Sequence, residues 1–508
     1  MSKKEGIVAI DLGTTNVKMA LYTIDGLSII EKSASYPLYN PKSLWFEHVP
    51  TDWFDLIISM LKETFKEASR RGIKIIGLVS TGQREGLVPI SRSGKPLHNC
   101  ITWMDRRSSQ EVKELISRFG LKELYLRTGL VAEPTYTIFK VMWFKRHFPR
   151  VYEKSWKLLQ PKEYLNYLLT GNPTTDPSLA SRTMAYNISK LDWYYELLEE
   201  VSIPVDKLPE IRASDDVIGY LREELKSKIL LDYDVPVING GGDRPCEALG
   251  AEVLSDARLG ESTGTATNVI TTVNRPVFDY NMRIMVSCHV LRSRWLMESG
   301  TSPTGAIIKW AIENFLEGLF HKVNYGGVYE GVDKEILKRL KDDIWLISLP
   351  HFVGSRAPYW REKARGAIVG LTLSHDKYHI IKSLMEGIAF LIRDIVKVYK
   401  DLGFSVKEFI SYGGLAQSYS WNLIKASVLN MNVKVLRNKY PAVSGAVALA
   451  GLGLGIFPSL GDVPRSFFRI KYVCHPDEML VEKYNKLYAL YSTLNVKITE
   501  IIEEFGDL

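Results

Sequence analysis

Two stretches of this chain share one layout: Asp11–Met19 reads DLGTTNVKM and Ser262–Ile270 reads STGTATNVI. Each sets a Gly-Thr turn in front of an apolar strand. A repeated unit of this kind calls for two similar half-chains, each presenting a loop of backbone N–H groups and hydroxyls. In the first unit, Ile7–Tyr22, four apolar residues run into Asp11, and after the turn Val17, Met19 and Leu21 alternate with Lys18 and Ala20. The pattern predicts strand, tight turn, strand.

Gly13 lets the backbone turn, and Thr14 and Thr15 set two hydroxyls at the tip. Such a concave cluster of donors suits phosphate oxygens. A carboxylate beside phosphate repels it unless a cation stands between them, so Asp11 is expected to face Mg2+ through water. Lys18 would add a positive charge. The alternative is an ordinary hairpin with a polar turn.

At 508 residues the chain is too long for one core, and two domains of about 200 to 250 residues each are expected. The divisions predicted are 1–254, 255–475 and a terminal helix over 476–508. A hydrophobic content of 46% with 24% charged residues is that of a globular protein. The net charge of +7 is spread along the chain without a dense Lys/Arg run, which argues against nucleic acid as a partner. Cys100, Cys246, Cys288 and Cys474 form no C-x-x-C pair, so a zinc site or disulfide framework is not expected and a reducing cytoplasm is. The first strand begins within six residues of Met1, leaving no room there for a signal peptide. The apolar run Ala442–Phe457 is broken by four glycines and falls short of the roughly 20 residues that span a bilayer. It reads as a buried helix, and no membrane association is expected.

Phe54, Ile57, Ile58, Leu61, Phe65 and Ala68 recur at helical spacing, ended by Gly72. The buried strand Ile75–Ser80 then runs into Thr81-Gly82-Gln83-Arg84-Glu85-Gly86. Polar residues at the end of such a strand stand where ligands bind in α/β proteins. Arg84 and Glu85 put a fork of donors beside an acceptor pair, the chemistry that holds several hydroxyls of a polyol or sugar; a surface ion pair is the other reading. Trp103 and Asp105 would offer an apolar face and a hydroxyl acceptor to the same ligand, or serve as buried structural residues. Helices are expected over Thr137–His147 and Lys162–Leu169, and another opening at Leu191-Asp192-Trp193.

Val235–Ile238 is a strand that delivers Asn239, three glycines and Asp243. The glycines read as a flexible turn, with a helix starting near Pro245. An Asp at a helix N-cap is often structural. A simple cap does not need three preceding glycines, so Asp243 is expected to meet a substrate. In the second half, helices are expected over Thr304–Phe320, Asp333–Leu340 and Ser383–Leu402. Phe409–Tyr412 is a strand entering Gly413-Gly414-Leu415-Ala416-Gln417-Ser418, a glycine pair between strand and helix of the shape that admits a nucleotide. Val433–Leu436 and a small-residue helix over Ser444–Gly455 are expected to complete this half.

Taken together, D-x-G-T-T at Asp11, Q-R-E at Gln83–Glu85, G-G-G-D at Gly240–Asp243, S-T-G-T at Ser262–Thr265 and G-G-L-A at Gly413–Ala416 resemble the FGGY carbohydrate kinases. Lys140-Val141-Met142-Trp143-Phe144, and Gly366–Leu371 followed by His379, Ile380, Ser383 and Glu386, match further signatures of that family. The resemblance implies an α/β, actin-like ATPase fold of two ribonuclease H-like domains around a cleft. It implies ATP and Mg2+ as cofactors, a small sugar or polyol as substrate and a homodimer as one possible assembly.

Residue by residue, the resemblance puts the catalytic base on Asp243, the metal-linked aspartates on Asp11 and Asp243, and the hydroxyl-binding pair on Arg84 and Glu85. The phosphate loops fall on Gly13–Thr15 and on Gly264 and Thr265, and the adenine-side turn on Gly413–Ala416, with Ser418 beside it. This chain departs from glycerol kinases in carrying Thr135 for a substrate-contacting Tyr and Arg244 for Gln, and it reads Gly354-Ser355-Arg356-Ala357-Pro358 where many relatives read G-E-R-x-P. Arg244 is expected to contact an extra hydroxyl, carboxylate or phosphate. A xylulose- or ribulose-like ketose is favoured as acceptor, with glycerol- or autoinducer-type kinases and a non-enzymatic sugar-sensing protein as alternatives.

Overall fold

The computed structural model describes residues 4–264, 266–301, 304–316 and 325–505. The first sheet contains β1 (Lys4–Leu12), β2 (Asn16–Thr23), β3 (Ser28–Ser35), β4 (Ile73–Gly82), β5 (Val217–Tyr220) and β6 (Pro236–Gly242). Their order is β5-β6-β4-β1-β2-β3. The second sheet contains β7 (Arg258–Thr263), β8 (Thr267–Val273), β9 (Met285–Cys288), β10 (Trp295–Gly300), β11 (Glu408–Tyr412), β12 (Val433–Leu436) and β13 (Ile470–Cys474), ordered β9-β10-β8-β7-β11-β12-β13.

In the first sheet β1 pairs antiparallel with β2 and parallel with β4, which pairs parallel with β6. In the second, β7 pairs antiparallel with β8 and parallel with β11, which pairs parallel with β12. The connectivity is therefore repeated, as the two Gly-Thr units predict. Both are ribonuclease H-like sheets, and together they make the actin-like fold.

Ile7, Val8, Ala9 and Ile10 are all fully buried because both faces of the first sheet are covered. Helix α1 (Pro50–Arg70) covers one face with Trp53, Ile57, Leu61 and Phe65. The other face receives a helix from the far half of the chain, the apolar Pro441–Gly453 segment, through Ala442, Val443, Ala446 and Leu449 against Ile7, Ala9, Val79 and Ile238. That helix was expected to complete the second half. In return α2 (Asp243–Gly250) sends Ala248 to the second sheet, where it meets Ile270, Leu296, Ile410 and Tyr412.

The remaining helices used below are α3 (Lys377–Asp401), α4 (Tyr419–Leu429), α5 (Pro441–Gly453) and α6 (Glu478–Glu504). Helices α2 and α5 cross with their backbones touching. A Cβ on Gly250 would overlap the Pro441 carbonyl, and one on Gly445 the Cys246 carbonyl. The segment between β4 and β5 also reaches the second sheet: Tyr125 Oη donates to the Ile284 carbonyl at 2.7 Å and the Val286 amide donates to the Gly129 carbonyl at 2.9 Å.

Two local expectations are corrected. Asp192–Trp193 pairs with Tyr186–Asn187 as a short hairpin and the helix begins only at Tyr195. Gly240–Gly242 continue β6 instead of forming a turn, and α2 starts at Asp243. The helix expected over Thr304–Phe320 is present as Thr304–Phe315, with 317–320 outside the described residues. Among the described residues no helix is long and apolar enough to cross a membrane.

Candidate active site

The sequence motifs all stand at the carboxyl ends of parallel strands, the edge where ligands bind in such sheets. Gly13–Thr15 follow β1, Gln83–Gly86 follow β4, Asp243 follows β6, Gly264 follows β7 and Gly413 follows β11. The three glycines before Asp243 have a packing reason. Gly240 has φ +70°, and a Cβ there would overlap the Ser80 carbonyl; one on Gly242 would press on the Arg84 side chain. Their absence of side chains lets β6 close on β4 and brings Arg84 against Asp243.

Arg84 Nε lies 3.2 Å from Asp243 Oδ1, and Arg84 Nη2 donates to Glu298 Oε1 at 2.9 Å. Glu85 Oε1, 3.8 Å from Arg84 Nε, accepts from Arg182 Nε at 2.6 Å. The side chains of Arg84 and Glu85 are 5% and 7% exposed, whereas that of Asp243 is 30% exposed. An accessible carboxylate thus stands beside an otherwise buried charge array. Glu298 and Arg182 were not anticipated from the sequence. Burial pushes the Glu298 carboxyl up, but Arg84 and Arg182 outweigh it and hold it down at about 2.

Asp11 is buried, with Oδ2 3.5 Å from Lys18 Nζ and Oδ1 without a hydrogen-bond partner. Burial raises its pKa against the pull of Lys18, and the nearby Asp243 raises it further. Glu247 is raised to about 7 by burial, with Arg244 opposing and Asp243 and Asp11 adding to the rise. Carboxylates that repel one another across a cleft floor, one with an orphaned oxygen, suit a hard divalent cation. Among the described residues no three His, Cys, Asp or Glu side chains form a complete protein cage.

Around the first Gly-Thr turn, Thr14 Oγ1 accepts from Trp103 Nε1 at 2.9 Å and Thr15 is exposed. Trp103 thereby braces the first Gly-Thr turn. Gly264 is exposed, with no atom within 4 Å of a Cβ added there; Thr265 lies outside the described residues. Gly413 adopts φ +90° and Gly414 is exposed and open. Leu415 is half-buried and begins a short 3-10 turn.

Several expected contacts are taken by the protein itself. Asp105 is fully buried, holding the Phe46 amide at 2.7 Å and the Arg107 guanidinium at 2.7 Å, so it positions Arg107 and offers no acceptor to the cleft. Ala416 is buried, with its carbonyl accepting from Asn422 Nδ2 at 2.8 Å. Ser418 caps α4, accepting from the Trp421 amide at 3.1 Å, and donates to Asp333 Oδ1 at 2.5 Å. Both support the turn from behind. Lys18 Nζ lies over the Tyr440 ring at 4.6 Å as well as beside Asp11. Arg244 Nη1 reaches Glu247 Oε2 at 2.6 Å and Ser262 Oγ at 2.8 Å, placing its charge beside the strand end that leads into the second Gly-Thr turn.

Among the contacts that join the two halves, three are made by arginines near this array. Arg84 meets Glu298, Arg244 meets Ser262, and Arg356 pairs with Glu133. Glu133 also takes Arg106 Nη1 at 3.3 Å, while the same nitrogen lies 3.2 Å from Thr135 Oγ1.

Two actin-like sheets, each with a Gly-Thr turn at the carboxyl end of a parallel strand, and an accessible aspartate beside a buried Arg-Glu pair fit a phosphotransferase that acts on an alcohol. The profile of the FGGY family of carbohydrate kinases matches residues 6–250 with its N-terminal domain and residues 261–454 with its C-terminal domain. The chain belongs to that family. It is 28% identical to a xylulose kinase of Bacillus subtilis (strain 168) over 488 residues, covering 96% of each chain. A glycerol kinase of Thermococcus kodakarensis is 30% identical over 460 residues, 88% of each chain. The crystal structure of a gluconate kinase from Lactobacillus acidophilus superposes with a TM-score of 0.89 at 25% identity, covering 99% of this chain and 100% of that one.

Proposed function

We propose that this kinase transfers the γ-phosphoryl group of ATP to a terminal hydroxyl of a small ketose of the xylulose or ribulose type, with Asp243 as general base. The observation that carries the reading is the Asp243 carboxylate, accessible at the start of α2 and flanked by Arg84 at 3.2 Å. Arg84 and Glu85 hold the acceptor hydroxyls, Asp243 takes the proton of the attacking one, and the Gly-Thr turns of residues 1–254 and 255–475 align the phosphates between them. Asp11 and Asp243 would hold Mg2+. Bound there, the ion neutralises charge on the β- and γ-phosphate oxygens. Gly264, Gly413 and Gly414 leave open backbone for the nucleotide, and the contacts across the cleft exclude water that would otherwise hydrolyse ATP. The four buried, unbonded cysteines suit a cytoplasmic enzyme.

The xylulose kinase relative supports a ketose and the glycerol kinase relative makes glycerol the alternative; Thr135, whose hydroxyl accepts from Arg106 and brings no phenol to the cleft, favours the ketose. The test is ADP release from Mg-ATP against ketopentoses, ketohexoses, polyols, glycerol and sugar acids, run on the wild type and on Asp243→Asn. Turnover with a ketopentose, lost in the variant, is expected. Preference for glycerol would replace the substrate, and near-normal turnover in the variant would remove Asp243 from its role.

A further inference from the structure

Strand β10 carries Glu298 in a sequence, Trp295–Gly300, that is buried throughout. Side chains alternate along a strand, so Glu298 shares a face with Leu296, which packs with Ala248 of α2 and Tyr412 of β11. An ionised carboxylate on such a face is costly to bury unless its oxygens are satisfied. Arg84 satisfies only one. Glu298 Oε2 and Arg84 Nη1 are both buried without a hydrogen-bond partner, although the two side chains are each 5% exposed and joined by a 2.9 Å bond. A buried donor and a buried acceptor left over from one ion pair need an external group to complete them. A hydroxyl can donate and accept at once, and two neighbouring hydroxyls can divide the roles.

We propose that Glu298 is an acceptor-binding residue supplied by the second half of the chain: its Oε2 accepts from the hydroxyl adjacent to the one phosphorylated, while Arg84 Nη1 donates to the same diol. The inference rests on the kinase reading above and adds a contact that the sequence motifs do not contain. Arg84 places the two roles side by side, with Nε against the base Asp243 and Nη2 against Glu298. Because Glu298 belongs to the opposite sheet, the subsite is complete only when the two halves meet. An acceptor with a vicinal diol would therefore favour closure, and one without it would not.

The test compares wild type with Glu298→Gln and Glu298→Ala, using D-xylulose against its 4-deoxy analogue and glycerol against propane-1,3-diol. In wild type, loss of the vicinal hydroxyl should lower kcat/KM by about 10²-fold or more, because a site built to bond a hydroxyl rejects its absence strongly. In the variants the acceptor KM should rise about 10- to 100-fold with the KM for ATP within about twofold, and the penalty for the deoxy analogue should shrink at least about tenfold. A merely structural Glu298 would leave that penalty intact, and this result would overturn the proposal. Should neither variant fold, equal turnover of diol and deoxy acceptors by wild type would overturn it too. Wild type silent toward every acceptor would instead sink the kinase reading itself.

Discussion

Arg84 Nε stands 3.2 Å from Asp243 Oδ1, so the cleft's accessible carboxylate is held by a guanidinium that is itself buried. This pairing aims the carboxylate and leaves its role to a single residue. Replacing Asp243 by Asn keeps the shape and removes the carboxylate proposed as base. The expected result is a loss of about 10²- to 10⁴-fold in kcat, with ATP affinity measured by calorimetry largely kept.

Arg244, expected to contact an extra hydroxyl, carboxylate or phosphate, reaches Ser262 Oγ at 2.8 Å, two residues before Gly264. Its loss should therefore be felt on the nucleotide side. Arg244→Ala is expected to raise the KM for ATP about tenfold or more, with a smaller change for the acceptor. Steady-state kinetics in both substrates would decide it, and the reverse pattern would restore the acceptor-side assignment.

Two glycines of similar sequence context should respond in opposite ways. A Cβ at Gly240 meets the Ser80 carbonyl at a positive φ, whereas nothing lies within 4 Å of a Cβ at Gly264. Gly240→Ala should destabilise by at least about 3 kcal/mol or fail to accumulate. Gly264→Ala should unfold within about 1 kcal/mol of wild type while its turnover with ATP falls. Denaturant unfolding and activity on the two variants separate packing from function.

Asp394 on α3 ties the loop after Pro358 to α6, accepting from Tyr359 Oη at 2.5 Å and from Tyr488 Oη. Burial raises its pKa to about 6, with the two phenols opposing. A carboxyl raised in the folded state favours folding below its ordinary pKa, and that contribution is lost as pH rises through about 6. The two-unit rise corresponds to about 3 kcal/mol at most. Urea unfolding at pH 4 and pH 7 should show wild type losing up to that amount relative to Asp394→Asn. A pH-independent difference would contradict the assignment.

The motif turns were legible because each needs glycine, threonine or a carboxylate where an apolar strand stops, a local signal. The second sheet's repeat of the first followed from the same signal. Glu298 was missed because its meaning depends on Arg84, 214 residues away in sequence; the available clue was one charge inside the otherwise uncharged WLMESG. The location of α5 was not legible either. A helix of Ala, Val, Gly and Leu has no polar side to say which sheet it covers, and only the fold shows it crossing to the first. The Gly240–Gly242 run was read as flexible because glycine permits turns, but here close approach of strands and side chains demands it. The partners of Asp105, Ala416 and Ser418 were not legible for one reason: the groups they bond, Arg107 and Phe46, Asn422 and Asp333, carry no sequence signal that marks them as partners.

The crossing of α2 and α5, with Gly250 against Pro441 and Gly445 against Cys246, has the geometry of an axle: backbone meets backbone with no side chain between. Points near an axle travel little when the bodies around it swing, and points at the rim travel far. Asp243 begins the short helix that Gly250 ends, about 10 Å along its length. A swing of the two halves about this crossing would therefore displace Asp243 little and the Arg356–Glu133 contact much.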